Sequence, residues 1–302
     1  MTTVHHQKFD STSPRGLRHD LPPMRLWQKA KKLGVWDPRD IDFSQDSKQW
    51  QGLDASEKDL LLRLTSQFQG GEESVTLDLL PLICVIAQEN RLEEELFLTS
   101  FLWEEAKHVE AFRRFLDEVA QDHSDLARYH SPSYRKIFYE ILPQAMNRLW
   151  HDSSPQAQAE ASVTYNMIVE GVLAETGYHS YYSMLKRNHL LPGMQQVVAY
   201  LKRDESRHIA YGVFLLSRLL AEHGDVVWEA IESRMGELLT LAMGSVNESF
   251  SSYDVVPFGL KVEDFVDYAL SQFSKRKARI ERARGQTLEQ IYQVASFEEV
   301  SA

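Results

Sequence analysis

Two short stretches of the chain carry residues suited to metal chemistry: Glu104-Glu105-Ala106-Lys107-His108 and Asp204-Glu205-Ser206-Arg207-His208. Each contains Glu-x-x-His, Glu105 with His108 and Glu205 with His208. Residues three apart on an α-helix lie about 60° apart around the axis, so each pair directs one carboxylate and one imidazole the same way. Two such pairs on separate helices, joined by one further Glu from each of two other helices, make a carboxylate-rich dinuclear metal site in a helical bundle. Such donors suit iron and manganese alike. Cys84 is the only cysteine, which removes intrachain disulfides and thiolate-based zinc or iron–sulfur sites.

The elements that must position these residues read as helices. Strand-like alternation is nearly absent, and the helical period dominates. Helices are expected over Met24 to Leu33, stopped by Gly34; from an Asp54 or Ser56 cap to about Gln88; over Leu92 to Val119; and from Ser131-Pro132 to Leu149. Others follow from Ser154-Pro155 to Leu185, from Pro192-Gly193 to Glu222, over Val226 to Phe250, and over Val262 to Arg284, with Thr287 to Val300 as a tail. Trp36 to Gly52 reads as a polar loop. Gly70-Gly71 and Pro81 predict a kink or break in the second long helix, and Pro143 one in the fourth. The profile is all-α: a helical bundle with a four-helix metal-binding core and extra helices, residues 24–285 forming one domain between a flexible arm (1–23) and a C-terminal tail (286–302).

The two remaining ligands should come from the second and fifth long helices. Glu72 and Glu73 are candidates on one, and Glu160, Glu170 and Glu175 on the other. Antiparallel neighbours cross one level at positions equidistant from their connection. Glu72 and Glu105 are centred on Gln88–Glu89, and Glu170 and Glu205 on Arg187–Asn188. Both midpoints fall in expected turns, Gln88 to Arg91 and Lys186 to Gly193. Glu160 fits worse and Glu175 loosely. Glu170 also lies among Ile168, Val169, Val172 and Leu173, where an unpartnered carboxylate is costly to bury. Spacing does not separate Glu72 from Glu73.

Composition bounds the remaining possibilities. The chain has 302 residues, 43% hydrophobic and 25% charged, with a net charge of −11. This argues against a general nucleic-acid binder and fits carboxylates gathered around cations. No apolar run is long enough for a transmembrane segment or shaped like a signal peptide, and the single cysteine makes a cytoplasmic location the default.

With these residues in hand, the chain resembles the ribonucleotide reductase small-subunit superfamily of ferritin-like bundles, and within it the ligand-binding oxidases that are like that subunit but do another job. The resemblance covers about Met24 to Arg284. It is carried by Asp40 to Asp46, Gly71-Glu72-Glu73-Ser74-Val75-Thr76-Leu77-Asp78, Glu105 to Glu110, and Tyr165-Asn166-Met167-Ile168-Val169-Glu170-Gly171. It selects Glu72 over Glu73. It implies a mixed centre with manganese at Glu72, Glu105 and His108 and iron at Glu170, Glu205 and His208, although the same donors accept two irons. It also implies dioxygen as co-substrate, a long-chain fatty acid in an internal tunnel, a homodimer, and an ether cross-link between a valine β-carbon and a tyrosine oxygen, here Val75 and Tyr165. Asp204 matches a position where the superfamily often has an aspartate bonded to the first ligand histidine.

Val75 follows Glu72 by three residues and so shares its helix face, and its β C–H is tertiary. Tyr165 precedes Glu170 by five, about 140° away on an ideal α-helix, so either the ring reaches around or the helix is distorted there. Radical-storing small subunits usually carry a tyrosine four residues after the first ligand histidine; here that position is Phe112, which rules out a tyrosyl radical there. The expected activity is dioxygen-dependent oxidation, first of Val75 and then of a lipid-like substrate. A manganese–iron ribonucleotide reductase small subunit is the alternative, which would dock a large subunit through the C-terminal tail. An acyl-carrier-protein desaturase relative and an iron-storage bundle stand behind it.

Overall fold

The structure of the chain, a computed structural model, describes residues 8–294. No strand occurs among the described residues. The helices are α1 (Pro22–Leu33), α2 (Ser44–Gly52), α3 (Ala55–Asp78), α4 (Leu80–Gln88), α5 (Leu92–Phe115), α6 (Pro132–Arg135), α7 (Leu142–Arg148), α8 (Pro155–Ser162), α9 (Glu175–Tyr181), α10 (Pro192–His223), α11 (Asp225–Phe250), α12 (Val262–Glu281) and α13 (Leu288–Val294). Four π-helical segments continue them: Leu116–Ala120 after α5, Lys136–Ile141 between α6 and α7, Val163–Ala174 between α8 and α9, and Tyr182–Lys186 after α9.

Local chemistry sets the boundaries. Asp54 caps α3 by accepting from the Ser56 and Glu57 amides, and Glu57 reaches back to the Asp54 N–H. Pro81 cannot donate a backbone hydrogen bond, and the chain breaks at Leu79 into α3 and α4. Gly70 and Gly71 do not break α3. A Cβ at Gly70 would lie 2.9 Å from the His130 ring and 3.0 Å from the Tyr134 hydroxyl, so the glycine serves close packing. Pro143 is accommodated at the start of α7, directly after a π-segment. Asn90 ends the α4–α5 turn at φ 57°, and His189 and Leu191 sit at φ 55° and 49° in the turn before α10. Both turns lie where the equidistance argument requires.

The expected loop at Trp36–Gly52 is corrected. It holds α2, whose first amide is met by Asp42 and whose Trp50 is buried. This short helix has little intrinsic drive and forms because Trp50 packs on Phe115, 5.8 Å away. Asp46 also accepts from the amides of Gly193 and Met194 at the start of α10. In the N-terminal arm, Arg15 forks onto the buried Glu93 and the Arg18 amide is bonded to it as well. The last expected segment forms α13 against α10, and Ser296 to Ala302 lie outside the described residues.

One continuous apolar cluster fills the interior. α3 packs on α5, and α10 packs on the Val163–Ala174 segment. α1 crosses α5 and α10, and α11 and α12 cover the π-segment from outside. At the N-terminal end of α5 the core contains a charge cluster: buried Arg218 pairs with Glu94 at 3.2 Å and Glu222 at 2.9 Å.

Candidate dinuclear metal centre

α3, α5, the Val163–Ala174 segment and α10 each send acidic side chains to one level of the bundle. Glu72, Glu105, His108 and Glu205 form one group, and Glu105, Glu170, Glu205 and His208 form a second; within each, one donor atom per residue lies within 4.8 Å of all the others. Glu105 and Glu205 belong to both groups, so the two share an edge. Glu73 is exposed on the outer side of α3. Glu160 pairs with Arg148 at the surface, and Glu175 accepts from the Tyr268 hydroxyl.

The histidines present Nδ1 to the interior of the site. His108 Nδ1 lies 3.3 Å from Glu72, 3.4 Å from Glu105 and 3.4 Å from Glu205. His208 Nδ1 lies 3.1 Å from Glu105, 3.4 Å from Glu205 and 3.7 Å from Glu170. Each Nε2 faces outward to a carboxylate on the opposite helix of the α5–α10 pair. His208 Nε2 meets Glu104 of α5 at 2.9 Å, and His108 Nε2 meets Asp204 of α10 at 3.5 Å. Arg207 bridges the two carboxylates, reaching Glu104 and Asp204. Trp36 Nε1 and Lys107 also donate to Asp204. Gly34 makes room: a Cβ there would stand 2.1 Å from a Glu104 oxygen. Sequence reasoning gave Asp204 this kind of place but missed Glu104, although the acidic residue before each ligand Glu was visible in both stretches.

Electrostatics define what the site needs. Burial pushes the carboxyls of Glu72 and Glu170 well above the usual range. Burial also works against charge on the rings of His108 and His208, but the surrounding carboxylates overcome it and hold both well above the ordinary imidazole value. Glu105 is desolvated too, yet the two histidine rings facing it, 3.4 Å and 3.1 Å away, hold it below the usual carboxylate range. Without cations, then, the cluster would hold protons. Both oxygens of Glu105, Oε1 of Glu170, Oε2 of Glu205 and Nδ1 of His208 are buried with no hydrogen-bond partner. Orphaned polar atoms converging on one point are costly unless a cation meets them. The all-N/O donor set fits iron or manganese.

Val75 and Tyr165 are neighbours beside this point. The Tyr165 hydroxyl donates to the Val75 carbonyl at 3.2 Å, and both residues are buried. The π-segment explains how. Its i→i+5 bonding brings residues five apart close to one face, so Tyr165 and Glu170 point the same way. Burial raises the Tyr165 hydroxyl well above its ordinary value, keeping it a neutral phenol. Phe112 is fully buried and stacks on Phe68 at 5.1 Å.

A mainly apolar cleft touches Glu72, Val75, Glu170 and Glu205. It continues along α3 past Phe68 and Leu64 to Leu60, a run of roughly 18 Å at 1.5 Å per residue. Leu173, Ala174, Val246 and Phe250 line it from the facing elements.

A sequence model of the ribonucleotide reductase small chain matches residues 23–275. The chain belongs to that family. Solved structures place it further among the R2-like ligand-binding oxidases. One, with an aerobically reconstituted Mn/Fe cofactor after a long soak, is 40% identical, with a TM-score of 0.87 over 91% of this chain and 98% of that one. A tyrosine-to-phenylalanine variant with an aerobically reconstituted Mn/Fe cofactor is 40% identical at a TM-score of 0.85, over 91% and 98%. An alanine-to-phenylalanine variant with an anaerobically reconstituted Mn/Fe cofactor is 39% identical at 0.87, again over 91% and 98%. As a member of this group of small-chain relatives, the chain is a dinuclear-metal oxidoreductase.

Proposed function

We propose that this small-chain relative is a dioxygen-using manganese–iron oxidase that binds a long-chain fatty acid and joins Val75 to Tyr165 in its first turnover. Manganese is assigned to Glu72, Glu105 and His108, and iron to Glu170, Glu205 and His208, with Glu105 and Glu205 placed to serve both. The observation that carries the reading is the pair of edge-sharing donor groups with orphaned buried atoms. When bound, the metal pair supplies the reduction of dioxygen and an oxidant strong enough for an unactivated C–H bond.

The residues do the rest. The protons held by the two histidine rings leave as cations enter. Asp204 and Glu104 fix each ring with Nδ1 inward. Phe68, Phe101 and Ile168 keep water from the oxidant. The Val75 side chain offers its tertiary β-hydrogen beside Glu72, and the Tyr165 hydroxyl waits next to it. Joining them removes one hydrogen from the Val75 β-carbon and one from the Tyr165 oxygen. That is a two-electron oxidation; a divalent metal pair held by these residues would supply the other two electrons needed to reduce dioxygen to water, with two further protons drawn from solvent.

The apolar cleft supports a fatty acid as occupant: carboxylate toward the metals, tail along α3. Its roughly 18 Å reach fits a long chain. No helix among the described residues is long and apolar enough to cross a membrane. We assign the protein to the cytoplasm, as a homodimer, with a lipid-like external substrate.

Metal analysis combined with peptide mass spectrometry after aerobic loading tests this. One manganese and one iron per chain are expected, with the peptides of Val75 and Tyr165 covalently joined and lighter by two hydrogens. Unlinked peptides with both metals bound would reject the cross-link. The small-chain match also favours a second reading, a ribonucleotide reductase small subunit storing its oxidising equivalent in the metals. Activation of a purified large subunit would favour it.

A further inference from the structure

We propose that Asn166 is a positioning residue for the metal centre. It pins one oxygen of Glu170 so that only the other is presented to the adjacent metal. The proposal rests on Glu170 being a ligand, as argued above.

Ser162, Asn166 and Glu170 follow one another at four-residue steps across α8 and the π-segment. The Ser162 hydroxyl donates to Asn166 Oδ1 at 2.9 Å, and Asn166 Nδ2 donates to Glu170 Oε2 at 3.0 Å. All three are buried. Once Glu170 is ionised to meet a cation, the amide can take only one orientation, because a carboxylate accepts and does not donate, so the NH₂ group faces Glu170. That leaves Oε1 of Glu170 unbonded, 3.7 Å from His208 Nδ1. Glu72, its counterpart in the other donor group, faces the His108 ring, and no side-chain amide is bonded to it among the described residues. The two outer carboxylates are therefore held differently: Glu72 meets only the His108 ring, whereas Glu170 is tied by a side-chain amide as well.

The facing helix has been shaped around this amide. Gly212 lies one turn after His208 on α10. A Cβ there would fall 2.2 Å from the Asn166 Cβ, 2.7 Å from its Cγ and 3.0 Å from its Oδ1. Any other residue at 212 would push the amide off Glu170. Two independent substitutions thus reach one hydrogen bond, Asn166→Leu by removing the donor within a similar branched shape, and Gly212→Ala by displacing an intact asparagine.

The test uses full-length protein titrated anaerobically with Mn(II) and with Fe(II), reading metal per chain, affinity and the Mn(II) paramagnetic resonance line shape. Loss of an outer-shell partner typically weakens metal binding by roughly 10- to 100-fold. Asn166→Leu and Gly212→Ala should both weaken one of the two binding steps by that factor, spare the other, and alter the line shape alike. Ser162→Ala, one bond further out, should do so less. If both variants bind two metals with unchanged affinity and line shape while Glu170→Ala loses one, Asn166 has no positioning role. If Glu170→Ala itself keeps both metals, the ligand assignment beneath the proposal is wrong. Should Gly212→Ala fail to fold, Asn166→Leu decides alone, since packing would tolerate it and donation would not.

Discussion

Glu104→Gln should weaken the metal site nearest His208 without dismantling the bundle. The carboxylate of Glu104 lies 2.9 Å from His208 Nε2, and both residues are fully buried. The glutamine keeps the size of the side chain but loses the charge that favours a proton on the outward nitrogen and thereby leaves Nδ1 free to bind metal. Removing such an outer partner lowers metal affinity about 10- to 100-fold, or about 1.4–2.7 kcal/mol. At free metal near a thousand times the dissociation constant, a bound ion stabilises the fold by about 4 kcal/mol; a hundredfold weaker site leaves about 1.4. Anaerobic calorimetric titration with Mn(II) or Fe(II), paired with thermal melts with and without metal, measures both quantities. One binding step should weaken while the other stays near wild type, and the metal-induced gain in stability should shrink by up to about 2.7 kcal/mol. A wild-type titration curve would refute the idea that Glu104 sets the His208 ring.

Three further outcomes follow from the packing. Burial pushes the Asp78 carboxyl from its ordinary 3.8 up to about 6. A raised carboxyl contributes stability that is complete below pH 3.8 and lost as pH rises through 6, so Asp78→Asn should be more stable than wild type at pH 7, by at most about 3 kcal/mol, and the difference should vanish below pH 4 in denaturant titrations. Arg218→Met leaves Glu94 without the guanidinium 3.2 Å away in the core, and should cost about 3–5 kcal/mol of unfolding free energy. Val246→Phe should fill part of the cleft along α3, removing any co-purifying fatty acid from solvent extracts while metal content stays the same, with a packing cost of about 1–3 kcal/mol.

The sequence was most legible where helical arithmetic governs it. Glu-x-x-His spacing and the two connections were enough to bring five side chains and the Glu72-Glu73 pair from four segments to one level, and the family resemblance then chose Glu72. Tyr165 was legible only as a conflict, since five residues do not share a face on an α-helix, and the π-segment resolves it. That segment had no sequence signal strong enough to predict its twelve residues. α2 was missed because nine mostly polar residues form a helix only when Trp50 meets Phe115, a contact between distant parts of the chain. Glu104, Trp36 and Asn166 were missed for a related reason. Their roles lie in what they touch on a neighbouring element, and periodicity along one helix does not report the partner across from it.

The crossed pairing of histidines and outer carboxylates bears on how the molecule is built over time. His108 is steadied by a residue 96 positions later, and His208 by one 104 positions earlier. Neither half of the chain contains a finished half of the site. A polypeptide emerging from the ribosome must complete α10 before either imidazole is properly oriented, and contacts of such long sequence separation close late in folding. Tight metal uptake is thereby postponed until the bundle has closed around the site, so a half-made chain does not acquire a metal pair able to activate dioxygen while its surroundings are still open to water.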